Sequence, residues 1–337
     1  MPAWVRRRRR VVLHGLPYFC AKLLNILEAE NWDVRYQAQH SPWGLLKLLV
    51  DLARCDLAFT WGGRISMGMF LWAARCLRKK HVVILWCGSD VLYAKGDLEA
   101  GRRSRWVAEK LHWAVSPVLT EEVRALGLKC EYVQTSFVDL VKNLSPLPEK
   151  FSVLAFVPGL QKSSLYGLDQ IQAVAAAMPD VDFKVVGWRE GIHPNGPPNL
   201  RFLGRSEDLT LFYQQATVLW RPVLHDAGVS FMVLEAMAQG RHVIYSYSFP
   251  TCVRATSIAE AQRELERLRS LHLSGKLPVN EAGAKIVAEV FSPEKVRSTL
   301  FRKWDEIIRP SAENSTSCPE QYEFSNSSPI RRRSTEA

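Results

Sequence analysis

Short apolar runs alternate with longer segments of helical periodicity throughout the first half of the chain. The apolar runs predict strands at residues 11–14, 32–36, 56–61, 81–86, 113–116 and 130–133. The segments between them predict helices at 18–30, 44–54, 65–79, 98–111 and 119–126. Strands that alternate with helices of this length predict a parallel sheet covered on both faces.

The same alternation restarts after a segment at 144–148 that contains two prolines. Strands are predicted at 151–157, 182–187, 200–203, 218–221 and 242–247, and helices at 165–177, 207–216, 230–239, 257–271, 280–290 and 293–308. The last helix has a strong start, because Ser292 can cap it and Pro293 suits its first turn. The chain therefore reads as α/β, with two doubly wound parallel-sheet domains, and the default site is the cleft between them.

The segment boundaries follow from these patterns. We predict a basic N-terminal arm at 1–10, a first domain at 11–145, a second domain at 150–292 and a C-terminal helix at 293–309. Residues 311–337 are rich in Ser, Asn, Pro and Glu, have little periodicity and are predicted to be disordered.

Composition excludes several classes of protein. With 337 residues, 47% hydrophobic and 23% charged, the chain is too long for one core and too apolar for a disordered protein. Charged residues such as Lys47, Asp51 and Arg75 interrupt its longest apolar runs, so we expect no membrane span. Seven scattered cysteines without a Cys-x-x-Cys pair are typical of a reduced, cytoplasmic protein with no zinc site.

The net charge of +10 comes mostly from the two ends, and the body between residues 11 and 330 has only +3. Nucleic-acid binders usually spread basic residues over a folded face, so we expect no nucleic-acid partner. Two interpretations of the first domain stay open. A leucine-rich helix at 44–54 and a basic segment could seat it on an anionic membrane, or they could be a sheet-covering face and a solvated face. The basic segment comprises Arg102, Arg103, Arg105 and Lys110.

The densest candidate for chemistry is the segment 221–240, which reads as a strand end, a polar turn with Gly228 and a helix opened by Ser230. Free N–H groups at such a helix start suit a diphosphate. Glu235 lies among apolar neighbours and would be costly to bury unless hydroxyls satisfy it. A ribose diol would supply them, although an internally bonded glutamate explains the pattern equally well.

The sequence Leu234-Glu235-Ala236-Met237-Ala238-Gln239-Gly240, followed by Val243-Ile244, resembles the donor-binding signature of GT-B-fold glycosyltransferases of the retaining family 4 (glycosyltransferase group 1). The resemblance covers about residues 10–309 and is sharpest at 221–250. It implies that Glu235 contacts the nucleotide ribose and that the last helix crosses back to the first domain.

One position departs from this family pattern. Members usually carry another glutamate eight residues before the one that matches Glu235, and that position is Ala227 here. The preceding His225-Asp226 resembles a His-Asp variant of the motif, although Asp226 lies nine residues before Glu235. Either Asp226 reaches the sugar through a one-residue bulge, or the sugar-facing carboxylate is absent.

The resemblance also implies a set of donor-binding residues in the second domain. Lys162 and Arg221 would meet the phosphates, turns at Gly187 and Gly204 would border the base, and His225 would lie beside the sugar. Each has an ordinary alternative as a surface lysine, a loop-bonded arginine or a turn residue. The remaining donor-binding positions are Gly159, Gly228, Val229, Ser230 and Phe231.

In the first domain, Trp86-Cys87-Gly88-Ser89-Asp90 resembles a turn that the family directs across the cleft. Asp90 could accept a proton from the acceptor hydroxyl or bond a sugar, or it could simply cap its own turn. The other acceptor-side positions are His14, Gly15, Gly63 and Gly88, of which the lone histidine is more often structural.

These observations predict a glycosyltransferase (EC 2.4) that moves a sugar from a nucleotide-diphosphate sugar to a glycan, glycolipid or other hydroxyl acceptor with retention of configuration. Asp90, Asp226 and Glu235 are its candidate catalytic residues. No carboxylate cluster for a cation appears in the sequence, so we expect metal independence and no cofactor. The alternatives are an inactive nucleotide-sugar-binding or scaffold module and a nucleotide-sugar epimerase of the same fold.

Overall fold

The computed structural model describes residues 8–27, 29, 31–36, 42–188, 194–206 and 208–309. It contains two six-stranded sheets, all parallel, with helices between most pairs of successive strands. The predicted pair of doubly wound α/β domains is confirmed. Of the predicted arm at 1–10, residues 1–7 lie outside the described residues, whereas Arg9 and Arg10 begin the first strand. The predicted tail at 311–337 also lies outside the described residues.

The first sheet has the strand order β2-β1-β3-β4-β5-β6. Its strands are β1 (Arg9–Gly15), β2 (Trp32–Tyr36), β3 (Leu57–Trp61), β4 (Val82–Trp86), β5 (Leu111–Ala114) and β6 (Cys130–Tyr132). Its helices are α1 (Pro17–Ile26), α2 (Pro42–Arg54), α3 (Met69–Cys76), α4 (Asp90–Glu99), α5 (Arg105–Ala108) and α6 (Pro117–Ala125).

The second sheet has the order β12-β11-β10-β7-β8-β9. Its strands are β7 (Ser152–Phe156), β8 (Asp182–Val186), β9 (Leu200–Phe202), β10 (Val218–Arg221), β11 (His242–Tyr245) and β12 (Val253–Arg254). The helices that follow are α7 (Leu168–Ala177), α8 (Thr210–Gln214), α9 (Phe231–Ala238), α10 (Ile258–Leu273), α11 (Glu281–Val290) and α12 (Pro293–Ile308).

The C-terminal helix α12 packs against the core of the first domain rather than the second. Val296, Leu300 and Trp304 are fully buried there, and the Trp304 ring lies 5.9 Å from that of Phe59 in β3. The Ser292 hydroxyl accepts the Lys295 N–H and so starts the helix. This helix therefore ties the second domain to the first.

The predicted helix at 98–111 is wrong. The structure has α4 from Asp90, then a break, the single turn α5, and β5 beginning at Leu111. Gly101 at φ +68° follows the end of α4, and Ser104 caps α5 by accepting the Val107 N–H. The two-residue strand β12 was not predicted. No helix among the described residues is long and apolar enough to cross a membrane.

Candidate functional site

Strand order brings four loops together at the carboxyl edges of the two sheets. In the second sheet the order reverses at β7 and β10, so the loops at 157–162 and 222–230 flank one switch point. In the first sheet the reversal lies at β1 and β3, which end at Gly15 and Trp61. Ligands of doubly wound sheets bind at such points.

The start of α9 carries backbone donors that are left unpaired. Gly228 has a φ of +74°, which turns the chain into the helix, and Ser230 stands at the N-cap without a side-chain bond. Among the described residues, no hydrogen bond has the N–H of Gly228, Val229, Ser230 or Phe231 as its donor. Such a helix start favours an anion such as a phosphate.

Glu235 lies one turn into α9 and is held from both domains. Its Oε1 lies 3.1 Å from the Lys22 Nζ of α1, and its Oε2 accepts the Tyr213 hydroxyl at 2.9 Å. Burial has the largest single effect and would lower the pKa of Lys22, but Glu235 and Tyr18 together outweigh it and the pKa is raised. Burial and the same carboxylate raise the pKa of Tyr213. The sequence analysis missed both partners, since neither belongs to a motif.

The first domain closes over the start of α9. The Phe19 and Phe231 rings lie 5.1 Å apart, and the Ser116 hydroxyl donates to the Ala227 carbonyl. A cavity of about 20 Å³ lies between the start of α6 and residues 228–229. The two domains are therefore in contact at the start of α9 in this conformation.

Arg221 and Asp226 form a buried pair within the second domain. The Arg221 Nε and Nη2 lie 2.9 and 2.8 Å from Asp226 Oδ2, which also accepts the Tyr245 hydroxyl at 3.1 Å. Burial has the largest single effect and would lower the pKa of Arg221, but Asp226, Tyr245 and Tyr166 together outweigh it and the pKa is raised. Asp226 therefore holds two of the three guanidinium nitrogens of Arg221, and the expected role of Arg221 in phosphate binding stays a prediction.

The pairing also turns Asp226 away from the cleft. Its Oδ1 accepts the Ala227 N–H at 2.8 Å, and its own N–H donates to Tyr247 at 3.0 Å. Ala227 is the residue that faces the first domain, where it lies against Gly88. His225 meets Glu122 of α6, with Nε2 and Oε2 2.8 Å apart, and Glu122 is another cross-domain residue that sequence reasoning missed.

Asp90 braces two loops of the first domain. Its carboxylate accepts the N–H groups of Gly63 at 2.6 Å, Cys87 at 2.9 Å, Gly88 at 2.9 Å and Val91 at 3.1 Å. Four backbone donors occupy it, which agrees with the capping alternative, and the expected role as a proton acceptor stays a prediction.

The other acceptor-side residues have structural contacts. His14 Nδ1 lies 3.0 Å from the Thr60 hydroxyl, and its ring stacks on Phe70. A Cβ on Gly15 would lie 1.9 Å from the Trp61 carbonyl oxygen, and one on Gly63 would lie 2.1 Å from the Trp86 ring. These glycines let the loops at the ends of β1 and β3 approach their neighbours closely.

The donor-side loops lie where the sequence places them, at the carboxyl edge of the second sheet. Gly159 has a φ of +143° after β7, and Lys162 ends the following 3-10 turn with an exposed side chain. Gly187 donates its N–H to the Gly204 carbonyl at 2.8 Å, which joins the turns after β8 and β9.

A larger groove, of about 800 Å³, lies away from the cleft at the amino ends of β5 and β6. Arg103, Arg105, Lys110 and Lys129 line it, beside Glu109 and Glu131. The described residues contain no group of three His, Cys, Asp or Glu side chains that could hold a metal ion.

Residues 152–262 match the family model described as glycosyl transferases group 1. A glycosyltransferase from Rickettsia africae has 13% identity and a TM-score of 0.61, and the match covers 90% of this chain and all of that one. Sucrose-phosphate synthase from Thermosynechococcus elongatus has 14% identity, a TM-score of 0.65 and the same coverages. Anabaena HepE, solved in complex with UDP-glucose, has 12% identity and a TM-score of 0.65, with 88% of this chain and 99% of that one covered.

No curated protein sequence matches the chain. The structural matches extend over both domains, whereas the family match lies in the second, where it includes the loop at 222–230 and all of α9. Residues 152–262 therefore match a group 1 glycosyltransferase domain, and the chain as a whole has the GT-B fold of the solved structures that it resembles.

Proposed function

We propose that the protein transfers a sugar from a nucleotide-diphosphate sugar to a hydroxyl acceptor. In this proposal the diphosphate binds the N–H groups at 228–231 and the nucleotide ribose binds Glu235. The observation that carries it is the unpaired start of α9, with a polar Glu235 one turn further on and both turned toward the first domain. The UDP-glucose complex of Anabaena HepE supports the donor class.

The chemistry follows from where charge develops. The leaving diphosphate gains negative charge as the sugar departs, and the positive end of α9 would stabilise it without rearranging. Lys22 would add a cation from the opposite domain, since it already lies beside Glu235. Retention of configuration is what the family resemblance implies, and proton NMR of the product's anomeric position tests it.

Donor entry requires the domains to separate in this proposal. The cavity of about 20 Å³ beside residues 228–229 holds no nucleotide, and three polar contacts join the two domains around the start of α9. These are Lys22 with Glu235, Glu122 with His225, and Ser116 with Ala227. After binding, reclosure would exclude water from the reacting sugar.

The direct test is calorimetry and a transfer assay with a panel of nucleotide sugars. Replacing Glu235→Ala removes the ribose partner and is expected to weaken donor binding by about tenfold to a hundredfold, because bonds to a charged group contribute about 1.5–3 kcal/mol. Glu149→Ala, in the exposed linker, serves as the matched control. Equal donor affinity in the two variants would refute the assignment of Glu235.

A specific observation favours a second candidate, a domain pair that binds a nucleotide sugar without transferring it. Ala227 stands where a sugar-facing carboxylate is expected, and Asp226 is engaged by Arg221. This candidate predicts donor binding with no product for any acceptor. Transfer that is lost in Asp226→Ala but kept in Ala227→Ser would reject it, and conversion of the donor sugar without an acceptor would indicate an epimerase.

The acceptor class is proposed as a glycan, a lipid-linked sugar or another hydroxyl, with no nucleic acid involved. Metal independence is a prediction from the sequence, and transfer that survives EDTA would support it. Activity abolished by EDTA and restored by magnesium would contradict it. A cytoplasmic location likewise stays a prediction.

A further inference from the structure

Two neighbouring helices of the first domain expose large apolar side chains on their outer surfaces. On α2 these are Trp43, Leu46 and Val50, spaced three and four residues apart, and on α3 they are Met69 and Trp72. The side chains of Trp43 and Trp72 are 74% and 58% exposed. We call these five residues the α2–α3 face.

The fold does not need this face. The opposite sides of the two helices supply Leu48, Leu52, Phe70, Leu71 and Ala74 to the core that covers the first sheet. The two helices also contact each other, so their outer surfaces form one continuous area. Single exposed apolar residues are ordinary, but two tryptophans and three aliphatic side chains on adjoining helices indicate a surface that meets a partner.

The exposed charged residues on these two helices have one sign. Residues 42–54 and 69–80 contain the exposed cations Lys47, Arg54, Arg75, Arg78 and Lys80. Asp51 is the one acidic residue in these two segments, and it is buried against Arg35 at 2.8 Å. A partner that fits this surface has an apolar interior and anionic groups at its outer boundary.

We propose that the α2–α3 face docks the first domain on an anionic lipid surface. Tryptophan rings favour the boundary between headgroups and acyl chains, and each nearby Lys or Arg is attracted to anionic headgroups. A second copy of this chain fits less well, because it would bring the same cations against these. The leucines that the sequence indicated as the apolar face lie on the sheet side instead, apart from exposed Leu46.

The α2–α3 face lies near the cleft, and this position bears on the nature of the acceptor. Each helix runs from the carboxyl end of one strand to the amino end of the next, so Trp43 and Met69 lie near the edge that forms the cleft. A docked first domain would bring that edge toward the lipid. We infer that the acceptor is lipid-linked, and this part rests on the proposed function.

Flotation with vesicles of phosphatidylcholine, alone or mixed with phosphatidylglycerol, tests the docking. The full chain is expected to bind the mixed vesicles, more weakly as salt rises. The double variant Trp43→Ser, Trp72→Ser is expected to bind about tenfold or more weakly, because two indole rings lose their contact with lipid. A control variant, Leu211→Ser with Leu273→Ser, removes two exposed leucines of the second domain and should bind like the parent.

Several outcomes would overturn the proposal. One is equal vesicle binding by the double variant and the parent at equal melting temperatures, and another is loss of binding only on deletion of residues 1–7. A dimer in ultracentrifugation that the double variant abolishes would assign the face to a second copy. Donor binding is measured separately, so a failed donor assay with intact flotation would reject the proposed function and keep the docking.

Discussion

The buried His112 is expected to lower the free energy of unfolding at low pH, and its ring lies near the first-domain side of the cleft. The ring is buried in β5, where Nδ1 accepts the Trp86 indole N–H at 3.1 Å and Nε2 donates to the Val107 carbonyl at 3.0 Å. Trp86 in turn packs against Gly63 and immediately precedes the loop that Asp90 braces. A proton on Nδ1 would point at the indole donor, so the fold excludes it.

The magnitude follows from the pKa of His112 in the two states. Burial lowers the pKa to about 4 from an unfolded value of 6.5. At pH 5.0 the unfolded ring is mostly protonated and the native ring mostly neutral, so this residue favours unfolding by about 2 kcal/mol relative to pH 7.5. The stability is present above pH 6.5 and is lost as the pH falls toward 4.

The assay is urea unfolding followed by tryptophan fluorescence at pH 7.5, 6.0 and 5.0. His112→Gln keeps one acceptor and one donor but does not titrate. Between pH 7.5 and 5.0 the parent should lose about 2 kcal/mol more than the variant, whatever the variant's own stability at pH 7.5. Equal losses for the two proteins would refute the reasoning, since every other histidine is present in both.

Three further predictions concern the loops and the closed cleft. Gly63→Ala should lower the free energy of unfolding by about 2 kcal/mol, because its Cβ would lie 2.1 Å from the Trp86 ring. The control Gly96→Ala, on an open helix surface, should not lower it. Equal melting temperatures for the two variants would contradict this expectation. Asp90→Asn should cost about 2 kcal/mol by chemical denaturation, since an amide oxygen replaces a carboxylate that accepts four N–H groups; an unchanged midpoint would exclude the bracing role. Lys22→Met should enlarge the radius of gyration in X-ray scattering by removing a contact across the cleft, and an unchanged radius would show that Lys22 does not hold the domains together.

The fold was largely predictable because buried parallel strands read as apolar runs. The interior strands β3 and β4 are buried at every position, and the predicted ends of β2 and α12 agree with the structure. Local signals sufficed there, since a Ser-Pro start fixes where α12 begins. Between 98 and 111 the helical pattern continued through Gly101, and only the positive φ of that residue shows the break.

The candidate site was predictable in position but not in its partners. Glu235 was singled out because a carboxylate among apolar neighbours needs bonds, and the structure supplies them from Lys22 and Tyr213. Lys22 is 213 residues away in the other domain, so no spacing along the chain could reveal it. The folded chain decides which residues pair with a buried charge, and the sequence pattern indicates only that a partner is required.

The direction of the Asp226 side chain is set by its charged partner Arg221, which the spacing of residues along the chain does not reveal. Burying the Arg221 guanidinium is costly unless a partner offsets the loss of water, and the end of β10 places it five residues from Asp226. The Asp226 carboxylate therefore points toward Arg221, and Ala227 takes the position that faces the first domain. The one-residue difference from the family spacing thus changes which side chain faces the cleft. For Asp226 to reach a sugar, Arg221 would need another anion, and the phosphates of a bound donor are the group that the proposed site would bring within reach.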